Sequence, residues 1–201
     1  MRHMRTIQSE EDDAACHYFI PHKIVEKPTS TTTKYRVVFN ASHQGPNSKS
    51  LNDILMCGPS IQSELFDTLV SFRKWKIVIV ADIEKMYRQV RLHDDDVKFQ
   101  QILWKNGKEE EPSIYQLCTV TYGTTPASFL VTKCLEILAD EIAITHPHES
   151  TIIKKNFYMD DLLTGAETID EALQIQSVIH STLASGKFPL RKYISNSPEF
   201  I

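Results

Sequence analysis

The 201-residue chain has no surplus of positive charge: 22 Lys and Arg stand against 26 Asp and Glu, a formal net charge of −4. A uniformly basic coat that holds nucleic acid by charge alone is thereby excluded, and a polyanionic partner would need a locally basic lining. Such bases do gather, at Lys23, Lys34 and Arg36, at Arg73, Lys74 and Lys76, and at Arg191 and Lys192. Cysteine is scarce. Cys16, Cys57, Cys118 and Cys134 show neither C-x-x-C spacing nor a histidine at ligand distance. That argues against a zinc ribbon or a disulfide framework and for free thiols in a reducing compartment. No apolar run approaches the roughly 18 residues that a membrane span needs, and no secretory leader is visible. A soluble, intracellular chain without a membrane partner is the expectation. Repeats are absent too, and the balance of 41% hydrophobic and 24% charged residues suits one large or two small globular domains.

What is present centres on residues 152–165, Ile-Ile-Lys-Lys-Asn-Phe-Tyr-Met-Asp-Asp-Leu-Leu-Thr-Gly. Two short apolar runs flank the adjacent carboxylates Asp160 and Asp161, and Gly165 punctuates the far side. The pattern reads as two strands of a hairpin. At a tight tip the usual strand alternation relaxes, so both carboxylates can reach one cation or a pair of cations. Two like charges so close repel unless a metal neutralises them. A solvated Asp-Asp turn is the plain alternative. Upstream, Ile77–Ile83 places four apolar residues and Ala81 before Asp82, the pattern of a buried central strand ending in a charge. A buried carboxylate needs a partner, and Mg²⁺ is a good one. Three such carboxylates suit two-metal phosphoryl chemistry, whose ions sit about 3.5–4 Å apart.

Tyr158-Met159-Asp160-Asp161 resembles the Y-x-D-D box of reverse transcriptases, and residues 80–90 (Val-Ala-Asp-Ile-Glu-Lys-Met-Tyr-Arg-Gln-Val) resemble their first palm motif. The wording is most similar to the BEL/Pao group of LTR retroelements. Supporting stretches, in family order, are residues 34–42, 50–53, 58–67, 119–123 and 190–197. Together they cover about residues 18–201. The resemblance implies an α+β fold: a right-hand polymerase palm, an antiparallel sheet backed by helices, with a fingers β-hairpin. It divides the chain into a disordered or docking tail (1–17), fingers (18–76), first palm segment (77–98), a hairpin region between fingers and palm (99–125), and palm (126–201).

The implied reaction is RNA-directed DNA synthesis, in which a primer 3′-hydroxyl attacks the α-phosphorus of a dNTP. The resemblance assigns Asp82 and Asp160 as bridging ligands of two Mg²⁺ ions, for which Mn²⁺ substitutes. Asp161 supports them, and the Ile83 carbonyl adds a ligand. Lys27, Arg36, Tyr87, Tyr122 and Lys192 would bind the dNTP; Tyr87 would select against the 2′-hydroxyl and Lys192 would donate a proton to pyrophosphate. Tyr158 and Met159 would lie against the primer terminus. Template, primer, dNTPs and the remaining polyprotein regions (thumb, RNase H, protease, integrase) are the implied partners, and a cytoplasmic retroelement particle the implied setting. Ser128 stands where many relatives carry Pro, a departure that touches the dNTP and template pocket. Two other readings stay open: an inactive remnant of the same fold, and another Mg²⁺-dependent nucleotidyl transferase.

The remaining elements follow from local signals. Tyr18–Glu26 and Tyr35–Asn40 form a hairpin across a turn at 28–33, and Leu51–Leu55 starts a short helix. A helix capped at Pro59-Ser60 turns Ile61, Leu65, Leu69 and Phe72 to one face. Phe99–Trp104 and Ser113–Val120 pair around Asn106-Gly107. Thr125-Pro126 opens a helix buried along Val131, Cys134, Leu135, Leu138 and Ile142. His146-Pro147-His148 reads as a solvated loop rather than a metal pair. Thr168–Glu171 is a capping box whose helix packs through Ile169, Leu173, Ile179 and Leu183 and stops at Gly186.

Overall fold

The computed structural model describes residues 3–7, 18–28 and 34–200. Its elements begin with β1 (Met4–Thr6), β2 (His22–Glu26), β3 (Tyr35–Phe39), α1 (Leu51–Ile54) and α2 (Leu65–Phe72). Next come β4 (Ile77–Ile83), a 3₁₀ turn at Met86–Gln89, α3 (Asp94–Val97), β5 (Gln101–Trp104), β6 (Ser113–Leu117) and α4 (Ala127–Glu141). The chain closes with α5 (Pro147–Lys155), β7 (Phe157–Tyr158), β8 (Asp161–Ala166), α6 (Ile169–Ser185) and β9 (Leu190–Ser195). Among the described residues these strands pair antiparallel, in three sheets ordered β1-β6-β5, β2-β3 and β7-β8-β4-β9. The expected α+β class is what is observed.

Two compact units share these elements: residues 1–58 with 90–128, and residues 59–89 with 129–201. Residues 59–76 thus fall with the second unit, not with 18–58 as the motif order suggested, because α2 packs on β8 and β7. Residues 90–98 fall with the first, where Val120 N–H donates to the Val90 carbonyl and Leu92 N–H to that of Cys118.

In the first unit β2 and β3 form the expected hairpin, with His22 opposite Phe39 and Glu26 opposite Tyr35. The turn at 29–33 lies outside the described residues, as do Cys16 and residues 8–17 of the expected tail. That tail is not uniformly irregular: Met4–Thr6 adds a strand to β6, with Met4 opposite Leu117. An edge strand offers unpaired backbone groups to any extended neighbour, and three residues suffice to satisfy part of it. β5 and β6 pair as expected, but eight residues (105–112) separate them, so Asn106-Gly107 is not a two-residue turn. The core is Ile20, Ala41, Leu51, Ile102 and Leu117, with Phe39 and Tyr115 against it. Ser50 caps α1 in a reciprocal box with Asp53.

The second unit is built on β4, flanked by β8 and β9. Period-two alternation buries Ile79, Ala81 and Ile83 and leaves Val78, Val80 and Asp82 on the more open face. On β8 Leu162, Thr164, Gly165 and Ala166 are buried. Helix α6 packs on β4, β8 and β9 through Ala172, Ile175, Ile179 and Leu183, all at most 1% exposed. Leu173, expected in that stripe, is exposed instead, since it sits one position off the buried period.

Thr168 caps α6 as expected by accepting from Glu171 N–H, while the Glu171 carboxylate takes Glu167 N–H. Gly186 ends the helix at φ −81°, and Lys187 takes the left-handed turn at φ 66°. In α4, Val131, Leu135 and Leu138 are buried as expected.

Four expectations need correction. Ile152–Lys155 is the last turn of α5, not a strand, leaving β7 only two residues. His146-Pro147-His148 is accordingly the start of that helix, with Pro147 in its first turn, where a missing N–H costs nothing. Helix α2 begins only after Glu64, and Leu65 and Leu69 are exposed while Thr68 is its buried residue. Gly165 is no punctuation but lies inside β8, where a Cβ would stand 2.4 Å from the Ile77 carbonyl oxygen and 2.6 Å from Trp75 Cβ.

Candidate active site

Strand register alone brings two of the three aspartates together. Asp82, next to last in β4, is directly opposite Asp161, the first residue of β8. Opposed residues in antiparallel strands have Cα atoms about 4.5–5.5 Å apart and side chains on one face. Asp160 joins them through the turn: Tyr158 pairs with Asp161, so Met159 and Asp160 are the two residues of a tight hairpin tip. Ile83 N–H donates to the Asp160 carbonyl at 2.8 Å, pinning the tip to β4.

Charge at this corner is unbalanced, and the groups respond. The Asp161 carboxyl is pushed above the ordinary carboxylate range, first by partial burial and then by the negative charges of Asp160 and Asp82, with Lys192 pulling the other way. Lys192 Nζ donates to Asp82 Oδ2 at 2.8 Å. Around that pair, Arg191 lies 3.5 Å from Glu84, which in turn is 3.2 Å from Lys85 Nζ.

The backbone that aims these groups is strained. Lys85 (φ 53°), Met159 (φ 56°) and Lys192 (φ 54°) are left-handed although none is glycine, a conformation that costs about 1–3 kcal/mol where it is sparsely populated. One follows β4, one sits in the hairpin tip, and one lies within β9. The last coincides with an irregularity in β9: Ile194 opposes Val80, but Arg191, three residues earlier, opposes Asp82 only two residues along β4. The extra residue is a bulge, and it re-aims the Lys192 side chain to Asp82.

Sequence reading identified Asp82, Asp160, Asp161 and Lys192 but not the Lys192–Asp82 ion pair, nor Glu84 and Arg191, nor the strain. Only the adjacent bases Arg191 and Lys192 hinted at the first. Of the other expected residues, Tyr87 is half-buried in the 3₁₀ turn after β4, and Tyr158 and Met159 are half-buried at the hairpin. Lys27, Arg36 and Tyr122 belong to the first unit. Lys27 and Arg36 are exposed on its hairpin, where Lys27 N–H donates to the Lys34 carbonyl. Tyr122 donates its hydroxyl to the Val37 carbonyl, and its ring meets that of Phe39 tilted by 58°, centroids 5.3 Å apart. Gly123 beside it needs φ 93° and leaves 2.8 Å between a would-be Cβ and the Phe39 carbonyl oxygen.

Carboxylate oxygens and main-chain carbonyls are the donors that hard divalent cations take, so the chemistry of the corner fits Mg²⁺ or Mn²⁺. Among the described residues no three His, Cys, Asp or Glu side chains are already arranged around one ion position. With Lys192 holding Asp82, the carboxylates must turn inward to share a cation. No helix among the described residues is long and apolar enough to cross a membrane.

A search of curated proteins returned no match to the chain. A model of the family described as reverse transcriptase (RNA-dependent DNA polymerase) matches residues 23–192. That span takes in both units, the Asp82–Asp161 pair and Lys192, and on it the chain belongs to the reverse transcriptase family.

Proposed function

We propose that the corner of Asp82, Asp160 and Asp161 is the polymerase centre of a reverse transcriptase domain from a BEL/Pao-like LTR retroelement polyprotein. The second unit is then its palm, and the β2–β3 hairpin of the first belongs to its fingers. The observation that carries this reading is the direct opposition of Asp82 and Asp161, with Asp160 in the adjoining tip. Like charges gathered from two sequence-distant segments repel, and bound divalent cations would offset that repulsion.

Asp82, Asp160 and Asp161, with the carbonyl of Ile83, would hold two Mg²⁺ ions. Bound there, the ions supply charge neutralisation for the attacking and leaving oxygens of phosphoryl transfer. The chain's own contribution is placement and electrostatics. The hairpin tip presents Tyr158 and Met159 to the primer terminus, and Tyr87 packs against the deoxyribose. Lys192, which donates to Asp82 here, would serve as the proton donor to the leaving pyrophosphate. Lys27, Arg36 and Tyr122 would bind the dNTP, as the family resemblance implies. Thumb, RNase H, protease and integrase regions are its polyprotein partners, in a cytoplasmic particle.

The test is primer extension on poly(rA)/oligo(dT) with Mg²⁺ or Mn²⁺, alongside Mn²⁺ binding followed by electron paramagnetic resonance. Loss of both in Asp160→Asn is expected. Extension that persists in that variant, or wild-type protein that leaves Mn²⁺ free, overturns the assignment. Extension that needs no template points instead to a template-independent nucleotidyl transferase.

A further inference from the structure

Three side-chain cations stand at the carboxylate corner, those of Lys85, Arg191 and Lys192, and they are divided between two acids. Glu84 takes Lys85 Nζ on Oε1 at 3.2 Å and Arg191 Nε on Oε2 at 3.5 Å. Lys192 Nζ goes to Asp82 Oδ2 at 2.8 Å. Register alone would not divide them so. It is Arg191 that stands directly opposite Asp82 across β4 and β9, where opposed residues share a face and their Cβ atoms lie about 4.5–5.5 Å apart. The ladder runs on past Ile83 and Leu190, with Glu84 N–H donating to the Pro189 carbonyl at 3.0 Å. Alternation thus returns Glu84 to the face of Asp82, and the Arg191 guanidinium passes over the carboxylate opposite it for the next one along.

Which cation sits on Asp82 matters to a metal. A guanidinium fork grips both oxygens of a carboxylate at once, so Arg191 on Asp82 would compete with a divalent ion for every lone pair. Lys192 engages Oδ2 alone and leaves Oδ1 for an ion. We propose that Glu84 is a positioning residue of the metal site, holding Arg191 off Asp82 so that this carboxylate meets an ammonium and not a guanidinium. The proposal rests on the reading of the corner as a polymerase centre. Glu84 does this without touching ion or substrate. Its ion pairs are largely exposed and such pairs add little to stability, so its effect falls on cation affinity rather than on the fold.

The full chain carrying Glu84→Gln, Arg191→Gln or both would be titrated with Mn²⁺ and followed by electron paramagnetic resonance. Glu84→Gln should bind about threefold more weakly or worse, the scale of one exposed ion pair, because Arg191 then turns to Asp82. The double variant should recover the affinity of Arg191→Gln alone, a rescue that neither a structural prop nor a direct metal ligand at position 84 would allow. In EDTA the Arg191 Nε–H nuclear magnetic resonance signal, assigned by its loss in Arg191→Gln, should move in Glu84→Gln and move again when Asp82→Asn is added. Undiminished binding in Glu84→Gln, a double variant as weak as Glu84→Gln, or an Arg191 signal indifferent to Asp82→Asn in that background would each overturn this proposal alone. Wild-type protein that leaves Mn²⁺ free would overturn the polymerase reading, and this proposal with it.

Discussion

Replacing Asp161 with Asn should stabilise the metal-free protein, the reverse of what most substitutions at a paired strand position do. Asp161 opposes Asp82 directly and adjoins Asp160, so it bears two repulsive contacts, one partly offset by Lys192. A like-charge cross-strand pair costs roughly 0.2–1 kcal/mol, which puts the relief near 1 kcal/mol for the two. Asn keeps the shape and a hydrogen-bonding oxygen, so little is lost in return. At about 2–4 °C per kcal/mol for a chain of this size, differential scanning fluorimetry in EDTA should show Tm rising by about 2–4 °C. The effect depends on pH with a definite sign. Because the folded-state pKa of Asp161 is raised, its contribution to stability is fully present below the unfolded-state value and is lost as pH rises through the folded one. The gap between variant and wild type should thus be open at pH 7 and close toward pH 4. Saturating Mg²⁺ should invert the order, since a ligand at 100 times its Kd stabilises by about 2.7 kcal/mol and the variant has lost a ligand. A variant that melts below wild type in EDTA, or gains as much from Mg²⁺, would refute the repulsion argument.

Gly165→Ala should destabilise by about 1–3 kcal/mol or more, because its Cβ would meet the Ile77 carbonyl and Trp75 rather than a movable side-chain tip; urea unfolding measures it. Leu183→Ala, at a site 0% exposed, should cost about 2–5 kcal/mol in the same assay, and an effect below 1 kcal/mol would show a looser α6 than described. Burial pushes the Tyr193 hydroxyl up to about 12. One tyrosine should therefore ionise late in an absorbance titration at alkaline pH. The stability it confers should be intact below pH ~10 and fade as pH climbs toward its folded value, a loss that Tyr193→Phe removes. Lys192→Met should leave Asp82 without its ammonium, lowering Tm by a few degrees in EDTA but by less in Mg²⁺.

Much of this arrangement could be read from residue order. β4 announced itself by an unbroken β-branched run, and α6 by Thr168, Glu171 and a periodic apolar stripe. The Asp82 and Asp160–Asp161 segments were recognisable from their apolar settings. Helix α5 was not, because its nine residues carry only Ile152 and Ile153 as large apolar groups, and adjacent β-branched residues suit a strand as well as a buried turn of helix. The late start of α2 was hidden by Pro59-Ser60, a good capping pair that the chain leaves extended. Left-handed Lys85, Met159 and Lys192 had no signal at all, since such positions are normally marked by Gly or Asn. Nor could a pairwise register be guessed: that Asp82 meets Asp161 and not Asp160 is decided by a two-residue turn.

The bulge in β9 makes the delivery of a cation to Asp82 a matter of counting rather than of chemistry. Between its two pairings with β4 the strand spends three steps where its neighbour spends two, and parity along a strand decides which face a side chain takes. Shortening β9 by the single residue Tyr193 would restore even pairing and turn Lys192 to the opposite face, with the carboxylates and their register to β8 untouched. A point substitution at Lys192 removes the ammonium; a change of length redirects the side chain that carries it.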